Sequence, residues 1–352
     1  MIAGGGTGGH AIPALCVADE LRKRGVTIEF VGSTSGIEVS LVREAGYRLH
    51  ALPLMGLSGN PMRRARAGFL FLKAMRRCHA VLESFRPGVV LGVGGYASAP
   101  SLIAATLLKI PTVLHEQNSV PGRVNRFASH FTRETFVTFP EAAHSLKNAV
   151  PVGMPTRSEF FDTSKEEALR RLGLDPPVVL LFGGSGGALK LNLAASEAFQ
   201  HTTPYSILHI SGRRDFERLS TKNPRYRIIP YEDELWYPLA AADLVIMRAG
   251  AGSLFDVAAA GRPAILIPYP YATGDHQIHN ARHFTDRNAA EILLDDAITA
   301  TLLRARVEDL LADESRREKL AKSMRTLATP EAADEVAGRL LEAAVREKGE
   351  RR

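Results

Sequence analysis

Cysteine is nearly absent. Cys16 and Cys78 are the only two in 352 residues and have no metal-ligand spacing, which excludes a disulfide framework and suits a reducing compartment. Both are expected to be small buried apolar side chains. No stretch of 18 or more apolar residues occurs, and no leader precedes the first glycine cluster. The chain is therefore expected neither to span a membrane nor to be exported. With 45% hydrophobic and 23% charged residues, it has the composition of a globular protein long enough for two domains. The net charge of +6 points to an acidic partner, with nucleic acid, anionic lipid and a phosphorylated substrate all open.

What the chain has in abundance is glycine at the ends of apolar runs. Gly4-Gly5-Gly6-Thr7-Gly8-Gly9-His10 opens an amphipathic run from Ala11 to Arg24. Such a backbone lets a ligand approach closely, and a helix behind it aims free N–H groups at an anion. Val26 to Val31 then reads as a strand, which makes a βαβ unit and predicts a parallel sheet. Gly4, Gly6 and Gly9 satisfy the dinucleotide pattern, but Glu29 sits inside the second strand, whose end is Gly32-Ser33. Without an acid at that end, a dinucleotide ranks below other phosphate-bearing ligands.

Val89 to Val93 runs into a second glycine turn, Gly94-Gly95-Tyr96. Ile110 to Leu114 is a strand expected to deliver His115, Glu116, Gln117 and Asn118 at its carboxyl end, where parallel sheets bind ligands. A Pro/Gly-punctuated stretch, Val150 to Arg157, marks the domain boundary. Val178 to Phe182 leads into Gly183-Gly184-Ser185-Gly186-Gly187-Ala188, and Asp243 to Met247 into Arg248-Ala249-Gly250-Ala251-Gly252-Ser253 ahead of a helix, Leu254 to Ala260. That helix start suits a diphosphate, and Asp256 one turn in suits ribose hydroxyls, although macrodipole stabilisation alone favours an acid there. His276 and His279 lie three apart with no third ligand at zinc spacing, so no metal is expected. From Thr299 the chain reads as helical and charged. The plan is α/β: two doubly wound Rossmann-like parallel-sheet domains facing a central cleft.

One segment stands apart. If Gly68 to Leu82 is helical, Phe71, Leu72, Met75, Cys78, His79 and Leu82 fall on a buried side, and Phe69, Leu70, Lys73, Arg76 and Arg77 on the opposite one. With Arg63, Arg64 and Arg66 upstream, the outer face reads as a surface for anionic headgroups.

The glycine loop through His10 with Pro13-Ala14-Leu15, Gly94 to Pro100, His115 to Asn118, Val152 to Arg157, residues 183–188, Arg248 to Ala251, and Asp275-His276-Gln277 with Asn280-Ala281 occur in the order seen in the MurG family. The likeness covers essentially the whole chain. It implies a GT-B glycosyltransferase that transfers N-acetylglucosamine from UDP-N-acetylglucosamine to lipid I, with inversion and no cofactor or obligatory metal, making lipid II for peptidoglycan at the cytoplasmic face of the inner membrane. Contacts with cell-wall synthesis and division proteins follow from the same likeness; nucleic acid does not. The implied domains are 1–155 with a returning C-terminal segment 330–352, and 156–329 for the donor.

By that likeness Thr7, Gly8, Gly9 and Asn118 reach the donor from the first domain. Arg157 and Ser185 hold its nucleotide or phosphate end, Ala251, Gly252 and Ser253 its diphosphate, Asp256 its ribose and Gln277 its sugar. Main chain near Tyr231 and Glu232 holds the uracil. Gly5, Gly6, Tyr96 and Ser98 are assigned to the acceptor's diphosphate or sugar. Asp256 stands where the family usually has Glu, Glu232 where an apolar residue is common, and the first strand is short enough to suggest a truncated start. Displacing UDP needs a base for the acceptor hydroxyl. His10, at a helix start that disfavours imidazolium, and Glu116 are the two candidates. A nucleotide-sugar epimerase and a non-catalytic UDP-sugar or anionic-lipid binding module are the rival readings.

Overall fold

The computed structural model describes residues 1–5, 8–34, 36, 38–55, 60–184 and 187–350, with side chains to 345. Two compact units form: Met1–Thr156 with Glu331–Arg352, and Arg157–Pro330.

In unit 1, β1 (Ile2–Ala3), α1 (Gly8–Lys23), β2 (Glu29–Ser33), α2 (Glu38–Glu44), β3 (Arg48–Leu52), α3 (Pro61–Phe85), β4 (Val90–Gly92), α4 (Ala99–Leu107), β5 (Thr112–Glu116), α5 (Arg123–Ala128), β6 (Glu134–Val137) and β7 (Ala149–Pro151) alternate. The sheet runs β3-β2-β1-β4-β5-β6-β7, every pairing parallel. The order reverses at β1 and β4, the switch point where such sheets carry ligands. The first strand pairs Ile2 with Phe30 and Leu91, so the glycine loop leaves the sheet between its two flanking strands.

Unit 2 repeats the plan. Short helices α6 (Glu159–Asp162) and α7 (Lys165–Leu172) precede β8 (Val178–Phe182), α8 (Leu189–Ala198), β9 (Ser206–Ile210), β10 (Tyr226–Ile229), α9 (Trp236–Ala241), β11 (Leu244–Met247), α10 (Ala251–Ala260), β12 (Ala264–Leu266), α11 (His276–Thr285) and β13 (Ala290–Ile292). Helices α12 (Ala300–Ala312) and α13 (Glu314–Thr326) follow. The sheet order is β10-β9-β8-β11-β12-β13, again all parallel. Strand β8 is buried at every position, which is why its sequence is continuously apolar rather than alternating.

Helix α14 (Ala332–Glu350) closes unit 1. It buries Val336, Ala337 and Leu340 in the same core as Ala14, Val17, Ala18 and Leu21 of α1, and each large apolar side chain so buried contributes about 1.5–3 kcal/mol.

Three sequence expectations shift. Strand β5 continues through His115 and Glu116, so those side chains are sheet interior rather than loop. Helix α10 starts at Ala251, ahead of the expected Leu254. On α3 the buried positions are Ala67, Ala74, Cys78 and Leu82, while Leu72 is 62% exposed. Leu72 lies one residue, or about 100°, past half-buried Phe71, which carries it off the core stripe and into solvent.

Candidate active site

Unit 1 brings its two glycine turns together. Gly95 has φ +72, and a Cβ there would lie 2.4 Å from the carbonyl oxygen of Gly5, so only glycine permits this backbone contact. Beside it, a Cβ on Gly94 would lie 3.2 Å from His10 Nε2 and 3.3 Å from Asn125 Nδ2. The imidazole from the first turn of α1 and the amide from α5 therefore border the same point at the carboxyl edge of the sheet.

Glu116 is 2% exposed. Its Oε1 accepts from the Asn118 N–H at 2.9 Å, and its Oε2 from the Gly122 N–H at 3.0 Å and Asn125 Nδ2 at 2.9 Å. Burial raises its pKa while these donors oppose the rise. The carboxylate thus ties down the loop between β5 and α5 from a buried position, an arrangement that favours a positioning role over the proton transfer expected from the sequence. His115 is likewise interior. Gln117 Nε2 donates to its Nδ1 at 2.9 Å, its Nε2 meets the Gly153 carbonyl at 3.1 Å, and burial lowers its pKa to about 4. Gln117 is 1% exposed, which leaves half-buried Asn118 as the accessible member of the four.

Ser98 is fully buried and its hydroxyl donates to the Gly95 carbonyl at 2.9 Å. It shapes the turn between β4 and α4. Tyr96 is 42% exposed, and Gly9 is exposed beside half-buried Gly8. Gly6, Thr7 and Ser185 lie outside the described residues.

Two residues passed over in the sequence complete this corner. Asn125 is 2% exposed, and its Oδ1 has no hydrogen-bond partner. Glu38 is 2% exposed, and its Oε1 accepts from the Ser33 N–H at 3.0 Å and the Ser33 hydroxyl at 2.8 Å. A Cβ on Gly5 would lie 2.3 Å from the Glu38 carboxyl carbon. An acid does stand at the end of β2, supplied from five residues downstream, but packing encloses it. Glu29 faces the other way, at 2.6 Å from His50 Nε2 and 3.2 Å from Arg48 Nη1.

Unit 2 presents a different chemistry. Gly250 precedes helix α10 at its N-cap and offers no side-chain cap, so the N–H groups of the first turn remain for an anion. Asp256 follows one turn on. Burial pushes its pKa up to about 7, and Arg157 pulls the other way. The Arg157 guanidinium lies 5.8 Å from the centre of the Trp236 ring. On α11, Gln277 Oε1 accepts from the Tyr269 N–H at 2.9 Å, and Asn280 Nδ2 donates to the Ala249 carbonyl at 3.3 Å, tying α11 to the turn before α10. Arg248 is 8% exposed and pairs with Asp295 at 2.6 Å. It braces the sheet edge rather than facing the helix start.

Glu232 Oε1 accepts from the Glu234 N–H at 3.0 Å, and Arg213 lies 4.9 Å from the Tyr231 ring centre. Beneath this edge a buried network that the sequence did not reveal runs from Tyr226 through His209 and Asn192 to Asp215. A Cβ on Gly187 would lie 3.0 Å from Asp215 Oδ2, so the network supports the glycine turn after β8. His276 Nδ1 meets the Thr273 carbonyl at 2.9 Å, and no metal-holding group of three or more His, Cys, Asp or Glu occurs among the described residues.

Residues 1–137 match the glycosyltransferase family 28 N-terminal domain and residues 178–336 the glycosyltransferase family 28 C-terminal domain. The chain belongs to glycosyltransferase family 28. It is 60% identical over 330 residues to the UDP-N-acetylglucosamine–N-acetylmuramyl-(pentapeptide) pyrophosphoryl-undecaprenol N-acetylglucosamine transferase of Rubrobacter xylanophilus, covering 93% of this chain and 98% of that one. The crystal structure of MurG from Acinetobacter baumannii superposes with a TM-score of 0.79 at 30% identity, covering 97% and 99%. The GT-B fold class expected from the sequence is thus the observed one. A UDP-GlcNAc 2-epimerase from Neisseria meningitidis, at 14% identity and a TM-score of 0.69 over 97% of this chain and 99% of that one, shares the fold alone. Family 28 membership makes this chain a glycosyltransferase and sets the epimerase reading aside.

Proposed function

We propose that this family 28 enzyme transfers N-acetylglucosamine from UDP-N-acetylglucosamine to lipid I, forming lipid II. The observation that carries the reading is the 60% identity to the Rubrobacter transferase across nearly both whole chains. In this reading unit 2 takes the donor: the uncapped start of α10 receives the diphosphate, Asp256 the ribose hydroxyls, Arg157 the nucleotide end and Gln277 the sugar. As the bond to the anomeric carbon breaks, negative charge grows on the departing diphosphate, where the helix dipole and N–H groups stabilise it. His10 is the base. It is half-buried beside Gly94 at the carboxyl edge of the sheet, whereas Glu116 is buried.

Peripheral attachment to the cytoplasmic face of the membrane belongs to the same reading. No helix among the described residues is long and apolar enough to cross a membrane. The outer face of α3, however, exposes Met62 at 82%, Phe69 at 68% and Leu72 at 62%, interleaved with the exposed cations Lys73, Arg76 and Arg77. That combination suits insertion among anionic headgroups. Half-buried Leu70 contributes less. The test is incubation of the enzyme with labelled UDP-N-acetylglucosamine and a lipid I analogue. A labelled disaccharide lipid formed with release of UDP is expected; isomerised donor with no acceptor product would overturn the proposal.

A further inference from the structure

Unit 2 displays two aromatic rings to solvent next to the elements assigned to the donor. Tyr269 is 44% exposed and Tyr271 82%. They meet edge to face, with centroids 5.6 Å apart at 72°. Their loop follows β12 and is stiffened by Pro268 and Pro270. It is also braced. The Tyr269 N–H is held by Gln277, the Arg248 guanidinium lies 5.6 Å from the Tyr269 ring centre, and Arg248 Nη1 donates to the carbonyls of Ile267 and Pro268 at 3.2 and 3.3 Å. Tyr271 is thus presented on a preorganised support, beside a helix already tied to the turn before α10.

We propose that Tyr271, backed by Tyr269, is a stacking platform for the pyranose ring of the donor sugar and so a specificity-determining residue of that subsite. The inference rests on the donor reading above. A pyranose carries hydroxyls around its rim and an apolar C–H face; the rim is matched by an amide such as Gln277, and the face by the electron-rich face of an aromatic ring. The surroundings favour a sugar over a protein partner. Thr273, Gly274 and Asp275, exposed just after the two rings in the chain, are polar or small, unlike the extended apolar surface that marks protein docking.

UDP lacks the sugar, which isolates the contact. Isothermal titration of the full chain with UDP and with UDP-N-acetylglucosamine, without acceptor, tests it in the parent protein and in Tyr271→Ala and Tyr271→Phe. Tyr271→Ala is expected to weaken UDP-N-acetylglucosamine binding roughly three- to tenfold, the range of one aromatic contact, and to change UDP binding less than twofold. Tyr271→Phe keeps the ring and should match the parent. Equal losses for both ligands, no loss, or a loss in Phe as large as in Ala overturns the stacking inference alone. Parent protein that binds UDP but not UDP-N-acetylglucosamine overturns the donor reading, and the inference with it. An acceptor KM raised in Tyr271→Ala with donor binding unchanged assigns the ring to the other substrate and also contradicts it.

Discussion

His10 and Glu116 are separated by what surrounds them. A group that removes a proton in the transition state is worth about a hundredfold or more in rate, so His10→Ala is expected to lower kcat by at least that factor with the donor KM changed less than threefold, in steady-state assays. Glu116→Gln should act on the fold instead. One amide oxygen cannot serve the N–H groups of Asn118, Gly122 and Asn125, and each buried donor left unsatisfied costs about 1–3 kcal/mol. The expected result is a melting temperature several degrees lower with an unaltered pH–rate profile; a displaced profile would return Glu116 to the chemistry. Asp256 carries a pH signature. Its folded pKa, about 7, lies above the ordinary 3.8, so its contribution to stability is fully present below about pH 4 and is lost as pH rises through 7. The ligand-free protein should therefore lose melting temperature from pH 5 to 8 relative to Asp256→Asn. Ribose hydroxyls prefer the carboxylate, so UDP affinity should fall by up to about tenfold per pH unit below 7, a slope that Asp256→Asn removes in calorimetric titrations.

The residues that could be read from the sequence were those whose chemistry is local. Glycine clusters and the polar ends of apolar runs mark the edge of each sheet, because a turn that must accept positive φ announces itself. Residues that work through distant partners could not be read this way. Glu38 gains its meaning from Gly5, 33 positions away, and Asp215 from Gly187; nothing in the local pattern pairs them. The burial of Glu116 was hidden for the converse reason: a polar residue at the end of an apolar run looks available until packing encloses it.

Among the elements, α3 makes the sharpest separate claim. Its buried stripe is set by Ala67, Ala74, Cys78 and Leu82, and its outer stripe by Met62, Phe69, Leu72 and the intervening cations. The cysteine is inert there, hydrogen-bonded to Ser101 at 3.3 Å with its thiol pushed up to about 11 by burial. Each cation near an anionic surface is worth about 1 kcal/mol, so Lys73, Arg76 and Arg77 changed together to Ser should weaken partitioning onto anionic vesicles roughly a hundredfold. UDP binding should be unchanged. Sedimentation with vesicles of defined anionic content checks this, and unchanged partitioning would make the face an ordinary solvated one. The helix was legible because a 3.6-residue period survives its high charge. Its rotation was not, since Phe71 and Leu72 are both apolar and only packing decides which turns inward.

At the scale of the whole molecule, two all-parallel sheets built on one plan carry different edges. The edge of unit 1 is crowded with interlocked glycines around His10, Asn125 and a buried acid. That of unit 2 offers an uncapped helix start with a carboxylate one turn in. The duplication was legible from the repeated strand–glycine–helix openings, while the difference between the two edges is a matter of tertiary neighbours. In the proposed transfer the acceptor hydroxyl attacks the donor carbon as the diphosphate leaves, and such a displacement inverts that carbon. The most direct test is the configuration of the new glycosidic bond, read by proton NMR on the product of a lipid I analogue and UDP-N-acetylglucosamine. A β-linked disaccharide formed with one UDP released per linkage is predicted. An α-linked product, or UDP released without any linkage, would contradict the account.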